Sequence, residues 1–175
     1  MSSVAVKVPL RERINIRMIV FAAVVLLMVG FPMYIYLDAE LTGGVEDVGN
    51  GYKRVDLKAI SLFSFDQING RIDDVPKPWR ALDGQKVVMY GEIWAPDSAS
   101  PDLTHFDLCY SIAKCCFSGP PQVQHFVKSK TVNGTVPYYN NLVKVTGTMH
   151  VKVVPGPEKV ASVYQLDVER VEPAT

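Results

Sequence analysis

The sequence predicts a mainly β protein, a small OB-like five-stranded barrel behind one N-terminal transmembrane helix. Three observations predict it. Residues 18–37 form an uncharged apolar block. Residues 142–154 alternate, over most of their length, between apolar and polar side chains. About five such strand-like segments, separated by turn residues, follow one another in roughly 90 residues.

The block MIVFAAVVLLMVGFPMYIYL accounts for much of the 48% hydrophobic content of the 175-residue chain. At about 1.5 Å per residue it spans roughly 30 Å, the thickness of a bilayer's hydrocarbon core. Gly30 and Pro32 weaken a soluble helix but are common in membrane helices, and Tyr34 and Tyr36 fit an aromatic belt at the outer end. A cleaved signal peptide is the competing reading. The run is longer than a signal core of roughly 7–15 residues, and no small-x-small site follows it closely, so an uncleaved anchor is expected.

Charge sets the orientation. Lys7, Arg11, Arg13 and Arg17 precede the block with one acid, Glu12, whereas Asp38, Glu40, Glu46 and Asp47 follow it before the first base, Lys53. Lys and Arg are retained in the cytoplasm, so residues 1–17 are expected inside as a basic tail. The remainder is then expected in the periplasm, with residues 18–37 in contact with the lipid of the bacterial inner membrane. Beyond Leu37 there are 14 basic and 17 acidic residues, a net charge of −3, with no basic cluster. That balance argues against nucleic acid as a partner.

Residues 38–51 read as a linker rich in glycine and acid, and 52–173 as the β domain. Within it, residues 55–63 are expected as a first strand or β-extension. Residues 75–82 suit a short helical turn around Trp79 with an early proline. Asp83-Gly84 turns the chain into a strand over 86–94. In 105–111, Phe106, Leu108 and Tyr110 share one face, with Asp107, Cys109 and Ser111 on the other. In 142–154, Val143, Val145, Met149, Val151 and Val153 face inward. Pro155-Gly156-Pro157 makes a turn, and Tyr164, Leu166 and Val168 point inward from a last strand over 162–171. Asn133-Gly-Thr135 matches a glycosylation sequon but is read as a hairpin turn.

One place is chemically unusual: residues 109–122, CYSIAKCCFSGPPQ. Cys109, Cys115 and Cys116 offer thiolates suited to zinc or copper, with His105 or His125 to complete the set. A disulfide from Cys109 to Cys115 or Cys116 is the second reading, leaving one thiol over. Packing of small apolar side chains beneath the Pro120-Pro121 turn is the third. Phe117, Pro120 and Pro121 also make this segment a candidate interaction loop. His150 lies on a polar strand face beside Lys152, where it reads as solvated. Asp66, Asp73, Asp74 and Asp83 sit among turn residues that they are expected to cap. Trp79, Trp94, Tyr138 and Tyr139 read as core or rim aromatics. No GxSxG, HExxH or phosphate-cradling glycine loop occurs, so no catalytic residue is assigned and no cofactor is required.

The stretches VDLKAISLFSFDQING, VPKPWRALDGQKVVMYGEIWAP, SIAKCCFSGPPQVQHFV, VPYYNNLVKVTGTMHV and SVYQLDVERVEP resemble a bacterial domain-of-unknown-function family with planctomycete-type membrane-anchored members. The resemblance implies an OB-like periplasmic domain, often encoded near ABC-type permeases and sometimes near metal-responsive genes. It brings no catalytic residues. Related proteins often carry one cysteine before the prolines, and this chain carries two. Haem chaperones share the anchor-plus-barrel plan but place a His-Asp-Glu-x-Tyr segment near the end of the barrel. Here VASVYQLDVERVEP has no histidine, which argues against haem. The expected function is a non-enzymatic accessory module contacting an envelope protein such as an ABC-type permease. The alternative is metal handling through the Cys115/Cys116 segment.

Overall fold

A computed structural model describes residues 16–42, 44–96, 100–117 and 119–174, with 34–42 and 115–117 described by backbone alone. The chain divides after Thr42 into two units. The first is helix α1 (Ile16–Thr42), with Pro32 inside it. Its Ile16–Met33 portion has a mean hydropathy of 2.3 and buries nothing within the protein, so it is long and apolar enough to cross a membrane. A helix of this kind serves as an anchor or as a signal sequence. It starts two residues before the expected span and continues through Thr42.

The second unit is mainly β, and it begins earlier than expected. Within the segment read as a linker, β1 (Val45–Gly49) pairs antiparallel with β2 (Tyr52–Val55). Asn50 and Gly51, at φ 56° and 78°, form the connection. Two successive positive φ values make the two-residue turn whose twist matches a hairpin, and Asn-Gly is the pair that adopts it most cheaply. β1 is largely solvent-exposed, which is why its composition resembles a linker.

Residues 55–63 do not continue as a strand. Asp56 accepts the Lys58 N–H at 2.8 Å and caps helix α2 (Leu57–Ser61), which buries Leu57, Ile60 and Ser61. The i, i+3, i+4 spacing of those three puts them on one helical face. The turn around Trp79 forms as expected, as α3 (Lys77–Arg80), with Trp79 buried.

The remaining strands are β3 (Lys86–Trp94), β4 (Asp102–Leu103), β5 (His105–Cys109), β6 (Val127–Thr131), β7 (Val136–Pro137), β8 (Val143–Pro155) and β9 (Val160–Pro173). Seven strands form one mixed sheet in the order β1-β2-β3-β5-β6-β9-β8, and β3 also pairs with β8. Strands β3, β5, β6, β9 and β8 therefore make a continuous circuit of paired strands. The β2–β3 and β6–β9 pairs are parallel and the others antiparallel. β4 and β7 pair separately. The Asn133-Gly134 turn connects β6 to β7, which do not pair with each other, so it is not a hairpin of its flanking strands.

The inward faces predicted for the two long strands hold. Val143, Val145 and Met149 are fully buried, as are Tyr164, Leu166 and Val168, while Val153 is only partly covered. Strand β6, which the sequence did not reveal, presents Val127, Ser129 and Thr131 inward. Its hydroxyls are satisfied locally: Ser129 donates to the Val127 carbonyl at 3.1 Å, and Thr131 donates to Gly134 O at 2.7 Å. Where the β8–β9 register shifts, Gly147 lies so close to the Asp167 carbonyl that a Cβ would strike it. Within the core, Tyr164 donates to Ile60 O at 3.1 Å, which ties α2 to the sheet.

Candidate functional site

The cysteine segment is not the loop that its sequence suggested. Residues Ile112–Phe117 form a short helix, α4. Cys115, Cys116 and Phe117 belong to it, but their side chains lie outside the described residues. Cys109, expected on the polar face of its strand, is fully buried, with its Sγ 3.7 Å from the Glu92 carbonyl. It does lie on the opposite face of the strand from the core residues Phe106 and Leu108. The chain folds back over that outer face, because the Glu92 carboxylate accepts the Ile112 N–H at 2.7 Å and holds the start of α4 there.

His125 sits in a 3₁₀ turn (Val123–His125) and is half-buried. Its Nδ1 is inaccessible and has no hydrogen-bond partner among the described residues. Burial lowers the imidazole pKa from its ordinary value. Among the described residues no three His, Cys, Asp or Glu side chains are arranged to hold a metal ion. The neighbouring Gln124 is buried and links Gln67, Gln122 and the Phe63 carbonyl, which fixes this turn against the segment after α2. Pro120 and Pro121 are exposed.

Of the four turn carboxylates, Asp66 and Asp74 cap their local turns as expected, whereas Asp73 and Asp83 bond elsewhere. Asp66 accepts the Ile68 and Asn69 amides at 2.8 and 3.1 Å. These bonds, that of Asn69 first, hold its pKa below the ordinary value. Asp74 accepts Arg71 N, and Asp83 accepts Val151 N. Asp73 instead pairs with Arg80 at 2.9 Å. His150 is not merely solvated: its Nε2 lies 3.1 Å from Asp167 Oδ2, and its Nδ1 lies 3.9 Å from Asp83 Oδ1.

A different surface brings chemistry together. Two adjoining depressions, of about 730 and 600 Å³, lie on the outward face of the strand circuit. Trp94, Asp107 and Lys128 line both of them. Strand register explains why these three meet: Trp94 pairs with Asp107, Asp107 with Lys128, and Lys128 with Gln165. The row therefore crosses β3, β5, β6 and β9 on a single face. A second row, His105, Lys130 and Asp167, runs beside it. Lys128 and Asp107 are joined at 2.7 Å, so their charges offset each other at the centre of the groove.

The smaller depression is more apolar, walled by Phe126 and Pro121 on one side and by Pro157, Val160 and Ala161 on the other. Pro121, the one predicted interaction-loop residue whose side chain is seen there, thus enters the groove from its rim. The sequence gives each strand's alternation but not the register between strands, so the Trp94–Asp107–Lys128 row could not be read from it. The sequence marks Trp79, Trp94, Tyr138 and Tyr139 as core or rim aromatics of which two could line a partner groove, without showing which two.

These features define a mainly β domain with an outward-facing groove across four strands. No protein-family model matches the sequence, and no curated protein matches it. The chain is similar to the crystal structure of a DUF3299 family protein from Pseudomonas aeruginosa PAO1. The two share 22% identity over 68% of this chain and 79% of that one, with a TM-score of 0.46.

Proposed function

We propose that this chain is a membrane-anchored periplasmic binding module that acts by contact and not by turnover. The observation that carries the reading is the groove around Trp94, Asp107 and Lys128. It combines an aromatic platform, a fixed ion pair and apolar walls, the mixture expected of a binding face. We read the strand circuit as an OB-like barrel whose first to fifth strands are β3, β5, β6, β8 and β9. In that reading the groove lies over the second and third strands, between the segment following β3 and the β8–β9 turn, where barrels of this type bind ligands. The excess of Lys and Arg before α1 supports an anchor with the domain outside the cytoplasm. The resemblance to permease-associated proteins makes an ABC-type permease the envelope protein that such a module would serve.

The test is photo-crosslinking in native membranes from a benzophenone residue placed at Lys130, beside the groove. A discrete heavier adduct, with protein or with glycan, is expected, and Trp94→Ala should abolish it. A chain that stays uncrosslinked, or crosslinks equally with Trp94→Ala, contradicts the reading.

One observation favours a second reading, metal handling: the buried, unbonded Nδ1 of His125. Zinc or copper would be held by His125 with thiolates from Cys109, Cys115 and Cys116. Metal analysis of the reduced protein, compared with the Cys115→Ser/Cys116→Ser double variant, decides it. Metal well below one equivalent, unchanged in the variant, removes this reading.

A further inference from the structure

We propose that the groove takes an uncharged, linear oligosaccharide, with one sugar ring stacked on Trp94. This rests on the binding-module reading and specifies its ligand. Three features of the face select that chemistry over a peptide or a nucleic acid.

The first is the pairing of the strands under the middle of the row. β5 and β6 are each hydrogen-bonded to a neighbour on both sides. A polypeptide crossing this face gains no strand-addition hydrogen bonds, and its own N–H and C=O groups lose water for scattered side-chain partners. A sugar carries its polar groups as hydroxyls around the ring rim, each able both to donate and to accept.

The second is charge. The lining holds Asp102, Asp107, Glu158 and Asp167 against Lys128, Lys130 and Lys159. Asp107 is already joined to Lys128, and Asp167 to His150. A polyanion needs unpaired positive charge along its path, and this face offers no excess of it. Carboxylates and ammonium groups held in place by one another present fixed acceptors and donors at no net charge, which suits hydroxyl groups.

The third is geometry. Trp94 is half-exposed at one end of the row and Gln165 half-exposed at the other. They are three inter-strand steps apart, roughly 14 Å at about 4.8 Å per step, room for about three sugar rings side by side. An indole face packs against the C–H face of a pyranose, and the rim hydroxyls of the rings then meet the Asp107–Lys128 pair and the Gln165 amide.

The experiment uses the full chain in lipid nanodiscs and titration calorimetry. The probes are β-1,4-linked tetramers of glucose and of N-acetylglucosamine, with an uncharged decapeptide and a ten-residue oligothymidylate as comparators. At least one tetramer is expected to bind saturably, and neither comparator should. Trp94→Ala should weaken binding at least tenfold, Gln165→Ala at least threefold, and Trp94→Phe should retain most of it. The Phe variant, with circular dichroism of each protein, separates loss of the platform from loss of the fold. Absence of binding by both tetramers, or a titration indifferent to Trp94→Ala, overturns the proposal. Saturable binding of the decapeptide instead overturns the sugar assignment and leaves the binding module standing. Only the further failure of crosslinking from Lys130 would remove both.

Discussion

Tyr164 shows most sharply how one side chain serves two purposes. Its ring is fully buried in the core, and its hydroxyl donates to Ile60 O at 3.1 Å. Burial pushes the phenol pKa well above its ordinary value, because the phenolate would have to form away from water. The folded-state pKa thus exceeds the unfolded value of about 10, so the neutral form favours the fold. That contribution is complete below about pH 10 and is lost as pH rises further. Tyr164→Phe should cost about 1 kcal/mol at neutral pH, since Ile60 O loses its donor. The variant should also show a shallower loss of stability between pH 9 and 11 than the parent, by urea unfolding at each pH. An equally steep alkaline loss in both proteins would show that another group governs it. Inwardness at Tyr164, Leu166 and Val168 was legible from alternation alone. Burial of Cys109 was not, because it depends on the chain turning back at Ile112, whose N–H the Glu92 carboxylate accepts, and that return leaves no trace in the local pattern. Ser129 and Thr131 were hidden for the opposite reason: hydroxyl side chains read as solvent-facing, yet each finds a carbonyl within its own strand or turn.

Among the elements, the β8–β9 pair is the longest and the most legible, since both strands alternate cleanly over their central residues. Its irregularity is less visible. Gly147 marks the register shift, and there a Cβ would meet the Asp167 carbonyl, a backbone atom that cannot rotate away. Gly147→Ala is therefore expected to cost about 1–3 kcal/mol, as overpacking does. The exposed Lys152→Ala, on the same strand, should stay within about 0.5 kcal/mol of the parent. Urea midpoints with an unchanged m-value test both, and a neutral Gly147→Ala would contradict the close approach. The β1–β2 hairpin was missed although its signal was present. Asn50-Gly51 is a strong two-residue turn, but the acidic, glycine-rich surroundings favoured a linker. In residues 55–63 the error ran the other way: Asp56 caps a helix one residue after the strand ends, and a run of apolar residues conceals the change of period from two to 3.6.

For the whole molecule, the two units were legible because composition separates them: an apolar helix, then alternating strands. Their expected disposition about the membrane has a direct check. Alkaline phosphatase fused after residue 175 should be active, and a reporter that works only in the cytoplasm should be silent at the same junction; the reverse pattern would invert the topology. The groove was the least legible feature, because it exists only when four strands take a particular register. Trp94, Asp107, Lys128 and Gln165 come from strands spread over some seventy residues, and no local pattern announces that they meet. The central claim is that this face, and not another part of the domain, makes the working contact. The measurement that tests it most directly is NMR of the isotopically labelled full chain in lipid nanodiscs, titrated with soluble extract of the bacterial envelope. The account predicts shifts clustered at Trp94, Asp107, Lys128 and Gln165, with the β1–β2 hairpin unmoved; no shifts at all, or shifts confined to that hairpin, would contradict it.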